Sequence, residues 1–278
     1  LARYYEKGET LVKFLHLSDL HIKADVDEDA AAVRMIRYVL AEYPEHKIIV
    51  TGDITNDGTF FQYSRAIDIL SPFAGRLYVC PGNHDYGVSG VFYSERRAHR
   101  FNSVLMSGLG NDDMFQKDQP VATVLGDDSA DVLLIALDSN LKTKYPFDFA
   151  CGEIGDTQLK ALTSTLNEWS YRPMTKILFL HHHPFIVDDP LMLLTDSDKL
   201  QDVIYGRVDA VLFGHKHEMR QWNNMIGISS VLASDDSPHA VIAKEVVVSR
   251  KGVTVNSVKL NALVADTRAS ATRALANS

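Results

Sequence analysis

Leu11-Val12-Lys13-Phe14-Leu15-His16-Leu17-Ser18-Asp19-Leu20-His21 is an apolar run of strand length that stops at Ser18 and then presents an aspartate and a histidine two residues apart. A helical pattern follows over residues 27–42, where Ala31, Met35, Val39 and Ala32, Ile36, Leu40 recur at spacings of four. Residues 47–51 read as a second strand ending at Gly52-Asp53, residues 60–70 as a second helix, and residues 77–80 as a third strand running into Pro81-Gly82. This β-α-β-α-β rhythm predicts an α/β layered fold with right-handed crossovers.

Farther along, residues 122–125 and 132–137 read as neighbouring strands separated by a Gly126-Asp127-Asp128 turn. A helix is expected over 156–169, a strand over 176–180, a helix over 197–205 and a strand over 210–213. Short β runs follow at 226–232, 240–248 and 253–258, with turns at Asn223-Asn224 and Lys251-Gly252, and predict an antiparallel C-terminal portion of the same domain. The expected division is one domain over residues 1–261 and an Ala-rich tail over 262–278, helical or disordered.

Composition narrows the partners. The apolar share (46%) and charged share (23%) of the 278 residues are those of a globular chain, so a packed core is expected. No apolar run approaches the ~18 residues needed to span a bilayer, and residues 1–10 hold no apolar leader core, although the chain does not begin with Met. Cys80 and Cys151 are too few for a disulfide framework and read as reduced thiols of a cytoplasmic protein. The net charge of −8, with no basic run of five or more, favours a small anionic partner over long nucleic acid, and no membrane partner is expected. Oligomeric state is not encoded in any of these features.

Five strand-like runs each close on a cluster of Asp, Asn or His: Asp19-Leu20-His21, Gly52-Asp53, Gly82-Asn83-His84-Asp85, His181-His182-His183-Pro184 and Gly214-His215-Lys216-His217. Ligands gather at the carboxyl ends of strands in layered α/β proteins, so these clusters are expected to converge at one edge. Residues i and i+2 of an extended chain share a side, roughly 6–7 Å apart. Asp19 and His21 can therefore grip one ion, and His215 and His217 can reach different members of a pair about 3.5–4 Å apart. Each cluster has an innocent alternative: Asp19 as a turn cap, Asn83 in an Asx-turn, His215 and His217 as exposed polar residues. Those alternatives leave the shared placement at strand ends unexplained.

The ordered series Asp-x-His, Gly-Asp, Gly-Asn-His-Asp, His-x-Pro and Gly-His-x-His resembles the signature of the calcineurin-like metallophosphoesterases, from residue 14 to about 217. That resemblance implies a four-layer αββα sandwich of two mixed β-sheets flanked by helices, with the metal site at the carboxyl ends of strands. It assigns one metal to Asp19, His21 and His217, a second to Asn83, His182 and His215, and both to a bridging Asp53. His182 is chosen from the three histidines because the family's ligand precedes proline by two positions. His181 and His183 are left as supporting, substrate-facing or structural residues, and His16, His46, His99 and His239 are expected to have no catalytic role. Oxygen and imidazole donors without thiolate suit Mn, Fe, Zn or Co.

Two divalent ions with Asp19 and Asp53 leave a charge of roughly +2, or about +1 with a bridging hydroxide, which attracts a phosphate ester. The resemblance implies hydroxide attack on phosphorus, with His84 as proton donor to the leaving alkoxide and Asp85 orienting its imidazole. Asn56 stands where purple acid phosphatases carry a tyrosine ligand, and Asn56-Asp57-Gly58 replaces the Asp-Arg-Gly of the Ser/Thr protein phosphatases. The secondary stretches Leu137-Asp138-Ser139, Gly152 with Gln158-Leu159, His181-His182-His183-Pro184 and Gly214-His215-Lys216-His217 near Trp222 are similar to the bacterial cyclic-nucleotide phosphodiesterase and glycerophosphodiesterase group. A phosphodiester is therefore the expected substrate, with a cyclic nucleotide as leading example. The alternatives are a phosphomonoester, a nuclease, or a degenerate protein-binding scaffold, whose mark would be lost ligands. Specificity is expected from loops at 86–120, 140–155 and 185–198, with Phe147, Phe149 and Phe185 as stacking or anchoring rings. Arg96, Arg97 and Arg100 read as a solvated helix face, and Asp138 as a turn former or pocket-floor residue.

Overall fold

Ile48, Ile49 and Val50 are consecutive and all fully buried, which requires cover on both faces of the strand that carries them. The computed structural model describes residues 12–25, 31–126, 131–142, 150–185, 189–217, 220–222, 225–227, 243–249 and 251–258. In chain order the elements begin with β1 (Val12–Leu17), α1 (Ala31–Glu42), β2 (Lys47–Thr51), α2 (Phe60–Leu70) and β3 (Leu77–Cys80). Next come α3 (Asn83–Tyr86), β4 (Gly87–Val88), β5 (Phe92–Tyr93) and α4 (Glu95–Arg100), which runs on as a wider π turn over Phe101–Met106. The second half holds β6 (Val121–Leu125), β7 (Val132–Ala136), α5 (Asp156–Glu168), β8 (Thr175–Phe179), α6 (Ser197–Ile204), β9 (Ala210–Phe213), β10 (Arg220–Trp222), β11 (Met225–Gly227), β12 (Lys244–Ser249) and β13 (Gly252–Ser257).

Two mixed sheets result, ordered β13-β12-β1-β2-β3 and β10-β11-β9-β8-β7-β6. β1, β2 and β3 are parallel, as are β7, β8 and β9. The hairpin β12–β13 joins β1 antiparallel, and β6 joins β7 antiparallel. Side-chain alternation sets the layers. Leu134, Ala136, Ile177, Phe179, Ala210 and Leu212 pack into one core with β1, β2, α1 and α2. The intervening Leu133, Ile135, Leu178, Val211 and Phe213 pack instead with Leu159, Leu162 and Leu166 of α5 and Leu200 and Ile204 of α6. The order is helix, sheet, sheet, helix, as the resemblance implies. Truncating a fully buried residue such as Phe14 or Ile49 to Ala would cost roughly 2–5 kcal/mol.

The helices and strands expected at 60–70, 77–80 and 210–213 form with those bounds, and most others within a residue or two. Residues 86–120 are not one loop: Ser89-Gly90 turns a hairpin between β4 and β5, and α4 follows. The portion after 219 is mixed rather than antiparallel, since β11 runs parallel to β9. Expectations for the tail 262–278, the domain boundary before it, Phe147, Phe149 and His239 lie outside the described residues. No helix among the described residues is long and apolar enough to cross a membrane.

Candidate metal centre

Parallel strands of both sheets deliver their carboxyl ends to one edge, and the loops beyond them stay tied across the strands. The amide of Asp19 bonds Gly52 O at 3.1 Å, that of His21 bonds Asp53 O at 2.9 Å, and that of Gly214 bonds His181 O at 3.0 Å. Six non-glycine residues among those described hold positive φ, and five of them are Asp19, His21, Asp53, His215 and His217. Left-handed backbone is unfavourable for side chains other than Gly, and its concentration here marks geometry imposed by the surroundings.

The donor atoms form two groups that share Asp53. In the first, His217 Nε2 lies 3.4 Å from Asp19 Oδ1 and 3.1 Å from His21 Nε2. His21 Nε2 lies 3.9 Å from Asp53 Oδ2. In the second, His181 Nε2 lies 3.2 Å from that same Oδ2, 3.0 Å from Asn83 Oδ1 and 3.2 Å from His215 Nδ1. Two nitrogens bound to one ion at about 2.0–2.1 Å stand roughly 3–3.4 Å apart, so both groups fit ligands directed at a common centre. Asp53 Oδ1 meanwhile accepts the His84 N–H at 2.9 Å, leaving Oδ2 toward both groups. Gly82 permits this approach: a Cβ there would stand 2.9 Å from Asp53 Cγ.

Electrostatics agree with a cation site. Asp19 and Asp53 are buried, which disfavours their charge, yet the neighbouring imidazoles (the His217 bond for Asp19, His181 for Asp53) hold both carboxyls below the usual range. Burial drives His21 down to about 4 and His215 well below its ordinary value, so both stay neutral and able to ligate. Burial opposes charge on His181 too, but Asp53 carries its pKa up to about 9. Two buried carboxylates held in their anionic form at the centre of the cluster favour positive charge beside them.

Structure and sequence part at the triple histidine. His181, not His182, stands among the second group of donors. His182 is bonded through Nδ1 to Ser139 Oγ at 2.8 Å, and its buried Nε2 has no hydrogen-bond partner among the described residues. The reason is strand parity: Phe179 faces the core shared with the other sheet, Leu178 and Leu180 face α5 and α6, and His181 has the parity of Phe179. His183 is buried, and neither of its ring nitrogens has a hydrogen-bond partner among the described residues. The role expected for Asp85 also differs. Its carboxylate does not touch the His84 ring; it accepts the amides of Ile54 (3.2 Å), Thr55 (2.8 Å) and Gly82 (3.0 Å) and the Thr55 hydroxyl (2.9 Å). The His84 ring is set by a group the sequence reading missed: its Nδ1 donates to the main-chain carbonyl of Asn56 at 2.8 Å. A carbonyl contact of this kind carries no side-chain signature. His84 lies against the first group, with His21 and Asp53 donor atoms all within 4.8 Å.

Other candidates fall outside the cluster. Asp138 Oδ1 accepts the amide and side chain of Asn140 at 2.9 Å each, a turn former. Phe185 packs edge-on against Phe213, an anchor. His16 bonds Thr51 Oγ1 and His46 bonds Glu245. Arg96, Arg97 and Arg100 lie on α4, but only Arg96 is exposed and the other two are half-buried, so the three do not form a fully solvated face; Cys151 Sγ donates to Pro190 O at 3.5 Å.

The pattern of the calcineurin-like phosphoesterases matches residues 12–219. A probable glycerophosphodiester phosphodiesterase of Arcobacter nitrofigilis is 26% identical over 236 residues, covering 79% of this chain and 78% of that protein. A 3',5'-cyclic adenosine monophosphate phosphodiesterase of Haemophilus influenzae is 24% identical over 234 residues, covering 79% and 75%. Among solved structures, the inner-membrane-complex anchor of Plasmodium superposes with a TM-score of 0.61 at 14% identity, over 91% of this chain and 85% of that one, a likeness of fold.

Proposed function

This chain belongs to the calcineurin-like phosphoesterase family, and on that premise we propose that it hydrolyses a phosphodiester at a two-metal centre. Asp19, His21 and His217 would hold one ion, Asn83, His181 and His215 would hold the other, and Asp53 would serve both. When bound, such ions activate water at neutral pH and neutralise charge on the phosphoryl oxygens. The observation that carries the reading is Asp53 Oδ2, standing within 3.9 Å of His21 Nε2 and 3.2 Å of His181 Nε2 while its other oxygen is held by the His84 amide.

The chain's own residues do the rest. Donation from His84 Nδ1 to Asn56 O fixes the ring and leaves Nε2 for the substrate. In the imidazolium form Nε2 carries a proton, which His84 gives to the leaving alkoxide. Asp85 fixes the backbone on both sides of Asp53, through residues 54–55 and Gly82, so the shared carboxylate cannot drift. The relatives named for cyclic AMP and for glycerophosphodiesters make those two diesters the first physiological candidates.

The test compares bis(p-nitrophenyl) phosphate with p-nitrophenyl phosphate, using metal-stripped protein with Mn, Fe, Zn or Co restored in turn. Metal-dependent turnover favouring the diester is expected. Preference for the monoester would move the activity to phosphatase, and no turnover with any metal would overturn the reading.

A further inference from the structure

Asn83 and His84 are adjacent in sequence but are oriented by two different loops. Asn83 Nδ2 donates to Gly90 O at 2.8 Å, which turns Oδ1 toward His181. His84 Nδ1 is held by Asn56 O. One carboxylate joins those loops. Asp57 Oδ1 accepts the Ser89 amide at 2.9 Å, next to Gly90, and Asp57 Oδ2 accepts Asn56 Nδ2 at 3.0 Å. The Asp57 amide is itself anchored on Gln62 Oε1 of α2 at 2.7 Å.

We propose that Asp57 is a positioning residue which, through Ser89-Gly90 on one side and Asn56 on the other, sets the donor oxygen of Asn83 and the ring of His84 together. The inference rests on the phosphodiesterase reading for its kinetic part and on the metal centre alone for its binding part. Ser89 is the one positive-φ non-glycine among the described residues outside the ligand cluster (φ 52°), and its amide is held there by Asp57. Gly90 (φ 69°) lies so close to the pair that a Cβ would stand 2.5 Å from His84 Nε2 and 2.7 Å from Asn83 Nδ2. A turn packed this tightly against both side chains transmits small movements to them. Burial opposes charge on Asp57, but the Ser89 amide, the Asn56 side chain and nearby Arg97 hold its pKa below the usual range, so it stays an acceptor on both sides. Residues that orient ligands in this way are typically worth 10–100-fold in metal affinity or activity.

The test uses the 278-residue chain stripped of metal. Mn(II) binding is measured by calorimetry, and turnover is measured on aryl diesters of graded leaving-group pKa. Asp57→Ala is expected to weaken one of two ions about 10-fold or more and to steepen the dependence on leaving group. Asn56→Ala, which keeps the carbonyl but loses the Asp57 tether, is expected to steepen that dependence while both ions bind as in the wild type. Thr59→Ala removes the neighbouring cap of α2 and is expected to lower stability without either effect. Unaltered Mn(II) affinity and leaving-group slope in Asp57→Ala would overturn the proposal, as would Thr59→Ala matching it. Failure of wild-type hydrolysis would instead remove the phosphodiesterase reading, and the calorimetry would still judge Asp57.

Discussion

Gly82→Ala tests the room around Asp53 without straining the φ and ψ of residue 82 itself. Gly82 has φ −113° and ψ 175°, which alanine adopts without strain. The new methyl would sit 2.9 Å from Asp53 Cγ, and closer to its Oδ1 and N, where ordinary contact begins at 3.4 Å. The carboxylate carbon must therefore retreat by at least about 0.5 Å, and the oxygen by more, toward 1 Å. Displacement on that scale exceeds the tolerance of a reacting centre and costs about 10–100-fold in rate, or about 1.4–2.7 kcal/mol. The assay is kcat/KM on bis(p-nitrophenyl) phosphate at saturating metal, with calorimetric counting of ions. A variant within threefold of wild type, binding both ions equally well, would refute the reasoning, because it would mean Asp53 has room to spare.

His84→Ala is expected to keep both ions and lose on the order of 100-fold in kcat with poor leaving groups, but far less with p-nitrophenolate; equal losses across leaving groups would remove it as the proton donor. His181→Ala is expected to lose one ion by calorimetry, whereas His182→Ala keeps both and loses only its Ser139 bond; the reverse pattern would restore the proline-based assignment. Burial lowers the His16 pKa from 6.5 to about 3, so the unfolded chain takes up a proton there that the folded chain refuses. Its contribution is full above pH 6.5 and falls on acidification toward pH 3, by on the order of 1 kcal/mol per unit. In urea titrations of metal-free protein, His16→Leu is expected to show the smaller loss between pH 7 and 5; equal slopes would contradict this.

The layered fold was legible because each parallel strand is a short run of consecutive apolar residues ending on a polar cluster, and the helices between carry a four-residue spacing. Six of the seven expected ligands converge for the same reason: Asp19, His21, Asp53, Asn83, His215 and His217 follow immediately on strand ends. The choice of His182 rested on distance to a proline, which says nothing about which face of β8 looks toward the other sheet; parity does, it places His181 beside Asp53 and His215, and it needs the burial of Phe179 and Leu180. Asp85 was misread because adjacency in sequence suggested contact with His84, while the α3 turn directs its carboxylate to the amides around Asp53. The Asn56 carbonyl was beyond reach, since every residue has one. The β4–β5 hairpin was recoverable from Ser89-Gly90 between Gly87-Val88 and Phe92-Tyr93, a turn dipeptide flanked by short β-prone pairs.

The central claim is that Asp53 is shared by two ions, the second of which takes His181. Anomalous diffraction from crystals grown with Mn(II) or Zn(II) tests it directly. Two peaks about 3.5–4 Å apart, with Asp53 between them and His181 Nε2 on the second, are the expected result. A single peak, or a second ion on His182, would contradict it.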